Sequence, residues 1–353
     1  MKINATKFYT SLFVIVLLLQ LYLPSFKANV FIQLAVLLFY FVVEKVAVSK
    51  GFLKEIAPLF LLMLVGFIGT VIFKYEWYDI IRDISHYLKP ITGLLVGYFF
   101  YRRIDNFHTF AKTIVVAGII SAVIHLLIIK FLVADNASVH QIREFTKDNF
   151  LELFSIFTLL FYEKLSGERI FNNRLIAWGT YGLLTISNVL YLSRTMIVMA
   201  ILLLMAFYGY TKLNRKTIRI LAVLIVAVGL FYSYLYSINV RRNARGLEAF
   251  LYKVKMAPEE MFESSIRKSN LKDLWDHWRA YEANRAYVLM EEKPISYAVG
   301  TGFGSLVDLN FHAPLTGDAK GIRYISELHN GYAYVIYKTG ILGLIIYLFT
   351  MAK

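Results

Sequence analysis

His329 and Asn330 are followed, after nine intervening residues, by Gly340-Ile341-Leu342-Gly343, inside the stretch 326–343 that reads SELHNGYAYVIYKTGILG. The His-Asn pair stands where a polar loop stops and an apolar run begins, so the imidazole is expected at the mouth of a helix at a membrane surface. Histidine is the side chain whose charge moves most easily near neutral pH, which suits proton transfer. The two glycines share one face of a helix and let another helix approach closely. A plainer reading stands beside this one: an interfacial histidine capping a helix that packs through small residues. Asn330 and Tyr332 flank His329 and could orient it or touch a substrate.

Three arginines extend the list of candidates. Arg194 lies in Leu192-Ser193-Arg194-Thr195, a very short turn between two apolar runs. Charge so close to hydrocarbon is costly and often functional, although an arginine can also snorkel and hold a helix end at the headgroups. Arg279 opens Arg279-Ala280-Tyr281 and is followed fifteen residues later by Pro294, then by Gly300-Thr301-Gly302-Phe303-Gly304. Arg285 competes with it, and a solvated helix face with Glu282 nearby is the alternative for both.

Other constellations point away from familiar chemistries. The glycine run is no dinucleotide site, because the strand before and helix after that such a site needs are missing from the pattern. A bend that brings backbone close to a substrate fits better. The seven histidines include no His-x-x-x-His pair, and the proline and glycine around Asp308 and His312 argue against a helical metal site. There is no Gly-x-Ser-x-Gly elbow, and the absence of cysteine removes disulfides, thiolate metal sites and a thiol nucleophile. His125 falls within an apolar run, where it reads as a proton-path residue or as a satisfied histidine of a helix bundle.

The elements that must hold these groups are apolar helices. Of 353 residues, 58% are hydrophobic, with 28 Phe and 25 Tyr, and the mean hydropathy is +0.57; a soluble domain is less apolar than this. Runs near the bilayer length of about 20 residues fall at 8–24, 29–48, 56–73, 84–101, 110–133, 149–163, 173–192, 195–211, 218–238 and 330–351. The fold class expected is an all-α polytopic membrane protein of about ten transmembrane helices with one large loop containing short helices. Its organisation is 1–238 as a nine-helix bundle, 239–325 as the loop, and 326–353 as the His-Asn motif with the last helix.

Charge agrees with that layout. A net charge of +14 suits basic loops facing anionic lipid better than it suits nucleic acid. With the N-terminus inside, the inner segments hold 15 Lys and Arg and the short outer ones seven. Nine crossings then put the loop outside. The first apolar run, behind Lys2 and Lys7, reads as a retained signal-anchor. The run at 84–101 is preceded by Asp79, Arg82, Asp83 and His86 and contains Pro90, so a kink or a partly interfacial start is expected. The segment 136–149 reads as an amphipathic stretch on the membrane surface.

His-Asn, nine residues, then Gly-x-x-Gly resembles the motif of the O-antigen ligase and O-antigen polymerase superfamily. The resemblance covers about the second half of the chain. It extends to Ser193-Arg194, where an Arg-x-x-x-Leu pattern is met with Val198 in the leucine position, and to the Arg279, Pro294 and Gly-x-Gly order, where the glycines stand farther from the proline than is usual. The family usually continues for at least one more span beyond this helix, whereas the sequence ends at Lys353, so a short member or a truncated chain is expected.

What the resemblance implies is a metal-independent, inverting membrane glycosyltransferase with no cofactor. It would move an undecaprenyl-diphosphate-linked glycan to lipid A-core as a ligase, or to another lipid-linked repeat unit as a polymerase. His329 would activate the acceptor hydroxyl while Arg194 and Arg279 hold the donor diphosphate, with Asn330, Tyr332 and Arg285 in support. The expected location is the bacterial inner membrane, N-terminus cytoplasmic and large loop periplasmic. A transporter or flippase for the same lipid-linked material, given some support by Arg82, Asp83 and His86, and a non-catalytic scaffold are the rival readings.

Overall fold

The computed structural model describes residues 5–23, 25–133, 149–212, 214–241, 246–262, 266, 271–315 and 321–352. The fold is mostly helical, and each of the ten apolar runs lies on a helix. In chain order these are α1 (Ala5–Tyr22), α2 (Phe26–Leu38), α3 (Lys50–Phe73), α4 (Trp77–Ile104), α5 (Phe107–Leu132), α6 (Phe150–Ser166), α7 (Arg174–Leu190), α8 (Arg194–Phe207) and α9 (Arg215–Ser237). The long loop follows with α10 (Gly246–Lys255), α11 (Ala257–Phe262), α12 (Leu271–Asp276), α13 (Trp278–Glu291) and α14 (Ser296–Val299). Then come β1 (Val307–Ala313), β2 (Ile322–Ile325) and α15 (Gly331–Ala352). A π-helical turn, Phe39–Val43, extends α2.

Side-chain caps explain many of the starts. Ser49, Asn106, Asn149, Asn173, Ser193 and Asn214 each stand one residue before a helix and accept a backbone N–H from its first turn, relieving donors that no turn of helix can satisfy.

Among the described residues, six helices are long and apolar enough to cross a membrane: α1, Phe26–Val43, α3, α5, α9 and α15. The expected ten therefore divide. Helices α6 and α7 stop at 17 residues each, and α8 at 14. Helix α4 has 28 residues, but its first half carries Asp79, Arg82, Asp83, His86 and Lys89 and continues through Pro90. The surface stretch expected at 136–149 lies outside the described residues except for Asn149.

The chain forms two compact units, each interleaved in sequence: 1–32 with 98–255, and 33–97 with 256–353. In the first, α5 packs on α1, α6 and α7. Its interior holds apolar clusters around Leu153, Phe157 and Met196 and around Ala122, Ile156 and Leu184. A polar cluster is buried there too. The Glu152 carboxylate accepts from Ser121 Oγ at 2.9 Å, Asn149 Nδ2 at 2.9 Å and the Tyr191 hydroxyl at 3.1 Å. His125 belongs to the same bundle, with Nδ1 2.7 Å from Ser187 Oγ and its ring stacked on Tyr191. Of the two readings offered by the sequence, this packing fits the bundle histidine, although its buried Nε2 has no hydrogen-bond partner.

In the second unit, α15 packs along α3 and against α14. One core joins Trp278, Tyr281 and Met290 of α13 to Val307, Leu309, Leu328 and Tyr337. Another gathers Ile56, Met63, Ile80 and Ile91 around Phe303. The antiparallel β1–β2 pair, with Val307 opposite Ile325 and Asp308 opposite Tyr324, is an addition to the all-helical expectation. Its alternation of buried and exposed residues is short and interrupted by a register shift between Asp308 and Ala313, so little period-2 signal reaches the sequence.

Candidate active site

All but one of the candidate residues fall in the second unit, on α13 and at the start of α15. His329 stands two residues before α15. Its Nδ1 is 3.0 Å from both carboxylate oxygens of Glu282, and its backbone N–H donates to Glu282 Oε2 at 2.9 Å. Glu282 is fully buried on α13, while the His329 side chain is 58% exposed. A buried carboxylate that receives Nδ1–H fixes the tautomer in which Nε2 carries the lone pair. That nitrogen is on the exposed ring, where it can take a proton from a hydroxyl.

Electrostatics tune the imidazole. The hydrogen bond that the ring donates to Glu282 raises its proton affinity above the usual histidine range, partial burial opposes this, and the nearby Arg279 guanidinium also pulls it down. Arg279 opens α13 one turn before Glu282 and pairs with Glu260 of α11 at 3.3 Å, at a partly exposed position. The structure thus brings Arg279 and His329 into electrostatic reach of each other through a single helix turn.

Arg285, the competing arginine, has Nε on the carbonyl of Asp308 at 2.9 Å and ties α13 to β1. Asn330 Oδ1 accepts the Ala333 N–H at 3.3 Å, a capping contact for α15. Tyr332 is exposed and meets Tyr347 edge-on. Arg194 belongs to the first unit. It begins α8 behind the Ser193 cap, and its Nη1 donates to the carbonyl of Lys253 at 2.6 Å.

The charged start of α4, which the sequence offered in support of a transporter, engages Glu327 two residues before His329 and the end of the glycine run. His86 Nε2 on α4 is 2.7 Å from Glu327 Oε1, and His86, with Arg82 and His329 adding to it, holds the Glu327 carboxyl below its ordinary range. One residue from Arg82 on the same helix, Asp83 forms a buried ion pair with Lys338 of α15 at 2.5 Å. Asp83 also accepts the Gly304 N–H at 2.7 Å, and Lys338 donates to the Ser305 carbonyl at 2.6 Å.

The glycine run is therefore a clamp between α3 and α15. Gly302 N–H donates to the Lys338 carbonyl and Thr301 N–H to that of Tyr337. Gly300 and Gly302 have φ of 81° and 85°, and a side chain on either would collide with the backbone of α15 or α3. Only glycine fits these two positions. The bend anticipated from the sequence exists, but it receives protein backbone at these glycines.

Among the described residues no group of three or more His, Cys, Asp or Glu is arranged to hold a metal ion. The family model described as O-antigen ligase matches residues 179–348, a span that includes Arg194, Arg279, Glu282 and His329. No curated protein and no solved structure gives a match.

Proposed function

Because this chain belongs to the O-antigen ligase family over residues 179–348, we propose that it is a membrane glycosyltransferase that moves a glycan from undecaprenyl diphosphate to a sugar acceptor in surface polysaccharide assembly. The observation that carries this reading is the pairing of an exposed imidazole with a buried carboxylate at the start of an apolar helix. Catalysis is a single displacement. His329 Nε2 takes the proton of the acceptor hydroxyl as its oxygen attacks the anomeric carbon, and the bond from that carbon to the diphosphate breaks with inversion.

Glu282 holds the ring and stabilises the imidazolium that forms. Arg279 meets the donor diphosphate and balances the charge that grows on it as it leaves, since a guanidinium stays charged and matches phosphate oxygens in pairs. Neither a nucleotide sugar nor a metal enters this scheme. The site faces the periplasm, in keeping with the excess of basic residues on the opposite side.

The test is complementation in cells lacking their own copy. His329→Ala should abolish the return of surface polysaccharide while the amount of protein in the membrane stays normal; full return would remove the catalytic role. Gel analysis of the glycan separates the two subclasses. Loss of a ligase leaves long polymer on the carrier lipid, and loss of a polymerase leaves one repeat on the core.

A further inference from the structure

A cleft of about 610 Å³ opens in the second unit, lined by Lys74, Tyr75, Glu76, Asp79, Leu306 and Tyr324. It lies between the entry to α4, the end of the glycine run and β2. Its rings are held. Tyr75 donates its hydroxyl to the Thr301 carbonyl at 2.9 Å and lies beneath Lys293 Nζ, while Tyr324 carries the Arg323 guanidinium against its ring. Arg323 is in turn fixed by two hydrogen bonds of 2.8 Å to the Asp308 carboxylate.

We propose that this cleft is a carbohydrate subsite, and that it receives the acceptor sugar. Its volume is in the range of small-ligand sites. Two aromatic rings suit the apolar C–H faces of a pyranose, and the Glu76 and Asp79 carboxylates are strong acceptors for the hydroxyls of its rim. One ion pair and the charges around Glu327 couple the cleft to the base electrostatically. Asp79 pairs with Arg82 at 2.7 Å, and both Arg82 and His329 act on the Glu327 carboxyl. Assigning the sugar as acceptor rests on the transferase reading; the affinity of the cleft for a neutral sugar does not.

Saturation-transfer NMR on the detergent-solubilised full chain, with methyl β-D-glucopyranoside, methyl β-D-galactopyranoside and methyl N-acetyl-β-D-glucosaminide as probes, tests the subsite. At least one glycoside should receive saturation from the wild-type chain and equally from His329→Ala. Tyr324→Ala, at an exposed strand position, should weaken that binding by about tenfold, the size of one lost ring contact of roughly 1.4 kcal/mol, and the conservative Glu76→Gln should weaken it in the same direction. No saturation on any glycoside, or an undiminished signal in Tyr324→Ala, overturns the proposal. In transfer assays Tyr324→Ala should raise KM for the acceptor and spare kcat, whereas an equal fall in kcat would overturn the acceptor assignment. If His329→Ala still transfers glycan while the glycoside signal depends on Tyr324, the catalytic role of His329 fails and the sugar site stands; if the wild-type chain transfers no glycan while that signal remains, the transferase reading fails and the sugar site stands.

Discussion

A histidine 58% exposed and a glutamate wholly buried form the pair on which the chemistry turns. Glu282 raises the proton affinity of His329, and a base must be unprotonated to work, so the rate should fall on the acid side with a midpoint above the ordinary 6.5 of histidine. Glu282→Gln keeps the shape and removes the charge. Its expected signature is an acid limb moved to lower pH together with a lower kcat, read from a pH profile of glycan transfer. An unmoved limb would leave Glu282 a structural residue. The same shift affects stability with a definite sign. A folded-state proton affinity above the unfolded one contributes stability at low pH that is lost as the pH rises through the folded value, so Glu282→Gln should flatten that dependence in thermal unfolding. His329 was legible because type and spacing marked it. Glu282 was not, since it stands 47 positions from the imidazole and its neighbours suggested only a solvated face.

At the scale of elements, the starts of helices and the glycine bend could be read from caps and positive-φ requirements, but the partner of that bend could not. Asp83 and Lys338 stand 255 positions apart, one among the charges at the start of α4 and the other inside the last apolar run. Buried together, they pin the glycine run to α4 and α15. Removing one member should cost about 3–5 kcal/mol, because the other charge stays buried without its partner. Asp83→Leu alone should therefore lower the thermal midpoint of the detergent-solubilised chain more than Asp83→Leu combined with Lys338→Met. A double variant less stable than the single one would contradict this. Gly340 poses a related constraint. Its φ of 64° breaks the helical path inside α15, and an added side chain would meet the Ala298 carbonyl. Gly340→Ala should reduce the amount of folded chain recovered from membranes, measured by size exclusion, by more than Gly343→Ala, since Gly340 needs a positive φ and meets backbone, whereas Gly343 needs no positive φ and meets the Thr339 side chain. The glycine spacing read as a seam for another helix; at Gly340 its physical use is a break in the backbone.

The whole chain is assembled from discontinuous pieces. Apolar length leaves a direct trace in composition, and six of the ten expected runs are, among the described residues, helices long and apolar enough to cross a membrane. The grouping into units left no such trace. The half that carries His329 is built from 33–97 and 256–353, so the matched region 179–348 lacks the Thr70 and Asp83 groups that receive Phe303 and Gly304. A fragment beginning at residue 179 should not accumulate when expressed alone, and co-expression of 1–178 should restore it, as followed by immunoblot of membranes. The same interleaving bears on inheritance. A recombination event that exchanges only the C-terminal portion between two relatives would separate the glycine run from the helices shaped to receive it, so viable hybrids should carry residues 33–97 along with the tail.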